Sequence, residues 1–317
     1  MAGDLSRDWR VICEAILDVT DQVREHELEY GSRAHYSSLN ALAVVWTWRF
    51  LALRWEAAQT LTVPVKDSFR KKCAETLAAH LDRWLICSQW AGRWAGASNT
   101  AVAGYAKALS GDAIGIDAST DPDAVHAVLA ARFQRLTGDL EGDATACVTT
   151  LDAASRERVS LYRTLLWVWH RLEANRWGMS KIPLRYGKSK KTELDVDHTV
   201  AFALWDGLLD TGLPTDTSDR EEAQGLVNQL GNCCLLEKSF NISKSDKTAK
   251  SFLEEIHEFK TNNLSLTDWC NAMAIPPVML DPTGATADDI AKAIRERNTL
   301  IRTDMVDFVK GSKARLD

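Results

Sequence analysis

From Asp8 to Tyr30 the apolar residues Trp9, Ile12, Ile16, Val19 and Val23 recur at steps of three and four, which lines them up along one side of a helix. The same spacing runs through 37–60, with Leu42, Val45, Trp46, Leu51 and Trp55, and through 65–94. Residues 97–123 are rich in Gly, Ala, Ser and Asp and read as a break holding a short helix across 101–109. Helices are predicted again over 122–137 and over 144–175, the second carrying Leu161, Leu165, Trp169 and Leu172. Nine of the twelve tryptophans precede residue 170, and most fall in step with these apolar stripes. That placement favours helix–helix core over base-stacking platforms.

Near Gly178 the pattern changes. Gly178, Pro183 and Gly187 interrupt the helices, and Lys181, Arg185, Lys188, Lys190 and Lys191 arrive with no acidic residue among them. Residues 192–198 then alternate, with Leu194, Val196 and His198 on one side of a short strand, and a loop with Gly212, Pro214, Thr215, Asp216 and Ser218 follows. A second strand fits Cys233–Glu237 and a helix fits 246–259. A Pro276-Pro277 crossing and a helix over 287–310 complete the chain. The order is strand, long loop, strand, helix. The expected architecture is mainly α: a helical domain over 1–180, then a small strand-containing unit with C-terminal helices over 181–317.

A length of 317 residues agrees with two structural units, and 45% hydrophobic against 26% charged residues supplies a core. The net charge of −6 means that contact with a polyanion must use a local basic patch. No apolar run reaches the roughly 18 residues that a bilayer requires, and the first residues lack a signal-peptide core, so a soluble, cytoplasmic chain is expected. Seven cysteines without a Cys-x-x-Cys pair speak against a disulfide framework and a four-thiolate zinc site. Gly187-Lys188-Ser189 has the tail of a phosphate loop, but Ile182 stands where that loop needs glycine. His26, His35, His80, His126, His170 and His257 form no set at metal-ligand spacing and read as structural or solvent-facing.

His198 differs, because Asp197 precedes it at a strand end and Asn232 and Asn241 follow nine residues apart. Successive strand residues face opposite ways, so a bend at the strand end is needed for both to serve one site. Hydrolysis of a phosphodiester requires an attacking hydroxide and compensation of the charge that develops on phosphorus. A near-neutral imidazole can take the proton from water, and carboxylate and carboxamide oxygens suit a hard divalent cation. The residue types alone are unspecific; the phrases around them are not.

Leu194-Asp-Val-Asp-His198, Gln229-Leu-Gly-Asn232-Cys-Cys-Leu-Leu236 and Asn241-Ile-Ser-Lys244 resemble, in order, the HNH nuclease motif at the C-terminus of GmrSD-type, modification-dependent restriction endonucleases. In that group an acidic-His strand end precedes Leu-Gly-Asn-Leu-x-Leu-Leu and an Asn-x-x-Lys segment. The resemblance covers Glu193 to Phe252 and implies a ββα-metal fold, one divalent ion (Mg²⁺ or Mn²⁺) and ends carrying 5′-phosphate and 3′-hydroxyl. By position it implies His198 as general base, Asp197 and Asn241 as metal ligands, and Asn232 as the brace that orients the histidine. Thr199-Val-Ala-Phe202 stands where the family commonly has a proline, and Cys233-Cys234 where it has an apolar-polar pair. The Asp-Gly-Gln-Gln-Arg-like nucleotide motif of the family's N-terminal domain is not in the sequence. The chain is therefore expected to be the nuclease half, a separate subunit or the C-terminal part of a longer effector such as the phosphorothioation-dependent Ssp-type proteins.

Two basic clusters flank the motif, Arg185 and Lys188 before the first strand and Lys244, Lys247 and Lys250 after the second. Both are candidates for phosphate contacts, with Lys244 foremost by its motif position. The expected function is metal-dependent DNA cleavage, nicking by default, in antiphage restriction, with an NTPase or modification sensor as partner. Two alternatives stand beside it: an inactive DNA-binding or adaptor subunit, and an HNH enzyme that cleaves RNA.

Overall fold

Why the long helices form is visible at their ends. The computed structural model describes residues 2–26, 28, 38–95, 98–111, 116, 119–150, 159–172, 194–237, 241–242, 244–255 and 266–312. Helix α1 covers Ala2–Glu25 and α2 covers Leu39–Ala58, the latter capped by the Ser38 side chain, which accepts from Asn40 N at 3.2 Å. Helix α3, Val63–Trp90, stops before the expected Trp94 because Gly92 turns to φ +66°, a backbone that only glycine adopts freely. Helix α4 covers Ser98–Ser110, and α5, Pro122–Gly138, starts on an Asp121 cap with Pro122 in its first turn. The helix expected over 144–175 is two helices, α6 at Glu141–Thr149 and α7 at Val159–Arg171.

The chain divides into two compact units, one formed by the residues up to Cys147 together with Val309–Gly311, the other by Val148–Phe308. In the first, α2 packs against α1, α3, α4 and α5 and is buried on most sides, as a central helix must be. The indoles of Trp48, Trp55 and Trp84 are fully buried and donate to the carbonyls of Leu129, Ser119 and Ala41, each at 2.9 Å. Trp9 departs from the expectation of core, since 67% of it is exposed. His26 makes a buried 2.6 Å contact with Asp82, and His126 bonds Thr76 at 2.9 Å.

The second unit contains the sheet. Strand β1, Leu194–His198, pairs antiparallel with β2, Cys233–Glu237, setting His198 opposite Cys233 and Asp197 opposite Cys234. Helix α7 lies against both strands with Leu165, Leu166, Trp167 and Trp169 buried. The change of pattern near Gly178 falls outside the described residues, and α7, ahead of it, packs with the second unit.

The long loop expected between the strands is a correction. It holds α8 at Phe202–Leu209, α9 at Arg220–Gly225 and two 3₁₀ turns at Leu226–Asn228 and Leu230–Asn232. These segments are too short to show a helical period. Buried Trp205 fixes them by donating to Ala223 O at 3.0 Å, and Asp219 caps α9 through Glu222 N at 2.9 Å. Beyond β2 lie α10 at Ala249–Glu255, α11 at Leu266–Ala272, the short α12 at Pro277–Leu280 and α13 at Ala287–Lys310. Among the described residues the protein is mainly helical with one small two-stranded sheet. Among the described residues no helix is long and apolar enough to cross a membrane, and all seven cysteines are free.

Candidate active site

The end of β1 is held from two directions. A bend follows at Thr199 and Val200, where the extended pattern ends. Asn232, wholly buried, takes that bend in its grip: its carbonyl accepts from Thr199 N at 2.7 Å and its Oδ1 from Val200 N at 2.9 Å. Its Nδ2 donates to Val200 O at 3.0 Å and Val227 O at 2.9 Å. Both side-chain donor hydrogens are used inside the protein, on the bend that follows His198 and on the turn at Val227.

The other hold is Lys244. Only 2% exposed, it donates from Nζ to His198 O at 2.7 Å and forms an ion pair with Asp197 Oδ2 at 3.1 Å. Asn241 lies three residues earlier, and both residues are helical, a spacing that on a helix brings two side chains to one face. Ser245, at φ +48°, follows in the left-handed region.

Burial, the largest cause, pushes the Asp197 carboxyl above the ordinary aspartate value, against the pull of Lys244 and His198. Burial likewise lowers the His198 imidazole; the Asp197 carboxylate opposes this, Lys244 adds to it, and a side-chain hydrogen bond with Asn228 opposes it. The histidine therefore stays neutral to lower pH than a free one, which is the form a proton acceptor requires.

Two supporting residues were not singled out from the sequence. Asn228 bonds His198 from the 3₁₀ turn. Arg297, buried on α13, donates from Nη1 to Gly231 O at 2.7 Å and Cys233 O at 2.8 Å and from Nε to Met273 O at 3.2 Å, with its guanidinium 5.3 Å from the Trp169 ring centre. The sequence does hold a signal for Arg297, a lone charge in the stripe Ile290, Ile294, Arg297, Ile301. Gly231 fits because α13 crosses it so closely that a Cβ would lie 2.0 Å from Ile294 O.

The basic candidates fare differently. Lys244 is a correction: it is buried against Asp197 and His198 and does not face solvent, because the turn around it drives its ammonium inward. Lys247 pairs with Glu255 at 2.5 Å and Lys250 with Asp281 at 2.9 Å, so part of their charge is already balanced. Arg185 and Lys188 lie outside the described residues. Among the described residues no three His, Cys, Asp or Glu side chains gather as a metal site. The oxygen donors of Asp197 and Asn241 are nonetheless of the kind that takes a hard divalent cation, and the Lys244 ammonium at Asp197 shows positive charge already accepted there.

No curated protein matches the chain. A family model does match, over residues 151–303, and its description is GmrSD restriction endonucleases, C-terminal domain. Both strands, the Asp197-His198 end and the braces from Asn228, Asn232, Lys244 and Arg297 fall inside the matched span, so residues 151–303 are similar to the C-terminal domain of the GmrSD restriction endonucleases.

Proposed function

We propose that the protein is a metal-dependent HNH endonuclease that hydrolyses DNA phosphodiester bonds, one strand at a time, in restriction of invading DNA. The observation that carries this reading is the end of β1, where Asn232 clamps the residues after His198 and Lys244 bonds the His198 carbonyl. Three separated phrases of the chain thereby meet at the backbone around His198.

His198 would take the proton of the attacking water, its base form favoured by burial and its direction set by Asn228. Asn232 keeps the following loop from drifting, which fixes the imidazole relative to the scissile bond. Asp197 and Asn241 would hold a Mg²⁺ or Mn²⁺ ion, which when bound offsets charge on the phosphate and on the departing oxygen. The two-stranded pairing followed by α10 is read as the ββα unit of the HNH class. The helical unit ahead of it would position DNA or dock an NTPase or modification-sensing partner.

Plasmid cleavage tests the proposal. Supercoiled DNA incubated with the protein and Mg²⁺ or Mn²⁺ is expected to relax to open circles. His198→Ala should lose about 10²–10⁴-fold in rate while keeping its circular dichroism and DNA binding. Intact plasmid at every metal and salt condition, or wild-type cleavage by His198→Ala, would defeat the reading. A second reading, an inactive DNA-binding adaptor, draws on the Lys244–Asp197 pair, which leaves the carboxylate neutralised. Matched single-turnover assays on DNA and RNA separate the nucleic acid acted upon.

A further inference from the structure

We infer that Lys244 is an internal counter-cation that a divalent ion must displace from Asp197. The inference rests on the proposed nuclease reading and concerns how its site is loaded. Lys244 is the second most enclosed member of the site after Asn232, and its ammonium lies 3.1 Å from Asp197 Oδ2 and 2.7 Å from His198 O. A buried carboxylate without a partner is costly, so in the absence of metal the lysine partners Asp197 and holds the strand end in place. Asp195, two residues earlier on β1, has its own partner in Arg163 at 3.7 Å, so Lys244 is matched to Asp197 and not shared along the strand.

An ammonium ion and a divalent ion cannot both sit on the same oxygen at bonding distance. The divalent ion carries twice the charge and gains the Asn241 oxygen as well, whereas Lys244 gives up an ion pair that its flexible stem can exchange for water. The surface is close: Ile242 is 72% exposed and Ser245, Asp246 and Lys247 are exposed. The site is consequently pre-folded without metal, and its metal affinity is set by the competition with its own lysine.

The full chain is titrated with Mn²⁺ in the absence of DNA, followed by electron paramagnetic resonance of free Mn²⁺. Lys244→Met is expected to bind about tenfold more tightly than wild type, because the competitor is gone, and Asp197→Asn to lose binding. Since Lys244→Met leaves Asp197 unpaired and that variant risks misfolding, wild type supplies an independent reading. Acetylation of lysines mapped by mass spectrometry should find Lys244 protected in EDTA and modified under saturating Mn²⁺. Unchanged or weaker Mn²⁺ binding in a folded Lys244→Met, or protection that persists with Mn²⁺ bound, overturns the inference and leaves the nuclease reading standing. Absence of Mn²⁺ binding by wild type and Lys244→Met alike, with intact plasmid in the cleavage assay, overturns both.

Discussion

Asn232 and Val200 hold each other by two hydrogen bonds, Val200 N to Oδ1 at 2.9 Å and Nδ2 to Val200 O at 3.0 Å. The pair fixes the backbone two residues beyond His198. Asn232→Ala removes both bonds and a third to Val227 O, leaving buried peptide groups without partners. Each such group costs about 1–3 kcal/mol, so a loss near 3 kcal/mol is expected in urea unfolding. At temperatures where the variant is folded, cleavage should fall through kcat more than KM, the outcome that the proposed positioning role of Asn232 requires.

Gly231 is required by the approach of α13, and not by its backbone angles. A methyl group there would meet Ile294 O at 2.0 Å and Asn298 N at 2.7 Å, both backbone atoms that cannot rotate away. Gly231→Ala is expected to cost about 3 kcal/mol or to prevent soluble expression. An unfolding midpoint equal to wild type would show that the helix lies farther off.

Arg297 joins α13 to the turn that carries Asn232. Arg297→Lys keeps the charge but cannot span the carbonyls of Gly231, Cys233 and Met273 with one planar group. A loss of about 2 kcal/mol is expected, together with faster amide exchange at the start of β2 in hydrogen–deuterium exchange.

The cysteines should separate by reactivity. Burial pushes the Cys73 and Cys234 thiols up to about 11 and Cys87 to about 12, and raises Cys233 too. At pH 8 these hold almost no thiolate, whereas Cys13 and Cys147 are only half-buried. Labelling with a disulfide reagent and peptide mapping should modify Cys13 and Cys147 first, with the others following only on unfolding.

Asp281 is the carboxylate to watch in acid. Hydrogen bonds from Thr283 and the ammonium of Lys250 hold it down to about 2. A depressed folded value means that its stabilising effect is present above the ordinary aspartate range and disappears as pH falls through about 2. Carbon NMR at pH 3 should find Asp281 ionised while ordinary aspartates are largely protonated, and Lys250→Ala should move it upward.

Several structural facts were open to reading in the chain. The helix at 287–310 and the strand at 233–237 fall where the apolar spacing puts them, since a stripe at helical or alternating period must be buried by whatever partner it meets. The order of the Asp-His, Leu-Gly-Asn and Asn-x-x-Lys phrases marked the region that the family match covers. The short helices between the strands were not legible, because six or eight residues hold too few turns for a period, and Trp205 secures them through a contact eighteen residues away.

What the sequence determines alone is local: which segments coil, which extend, and which polar residues stand beside His198. The tertiary structure decided the rest. A lysine in a basic run reads as one more solvated charge, and only the folded turn sends Lys244 inward to Asp197 while Lys247 and Lys250 stay near water. Arg297 becomes a brace only when a helix about 60 residues downstream crosses Gly231. The reason is physical. Spacing along a chain fixes the direction of a side chain within its own element, but its partner is set by packing between elements distant in sequence.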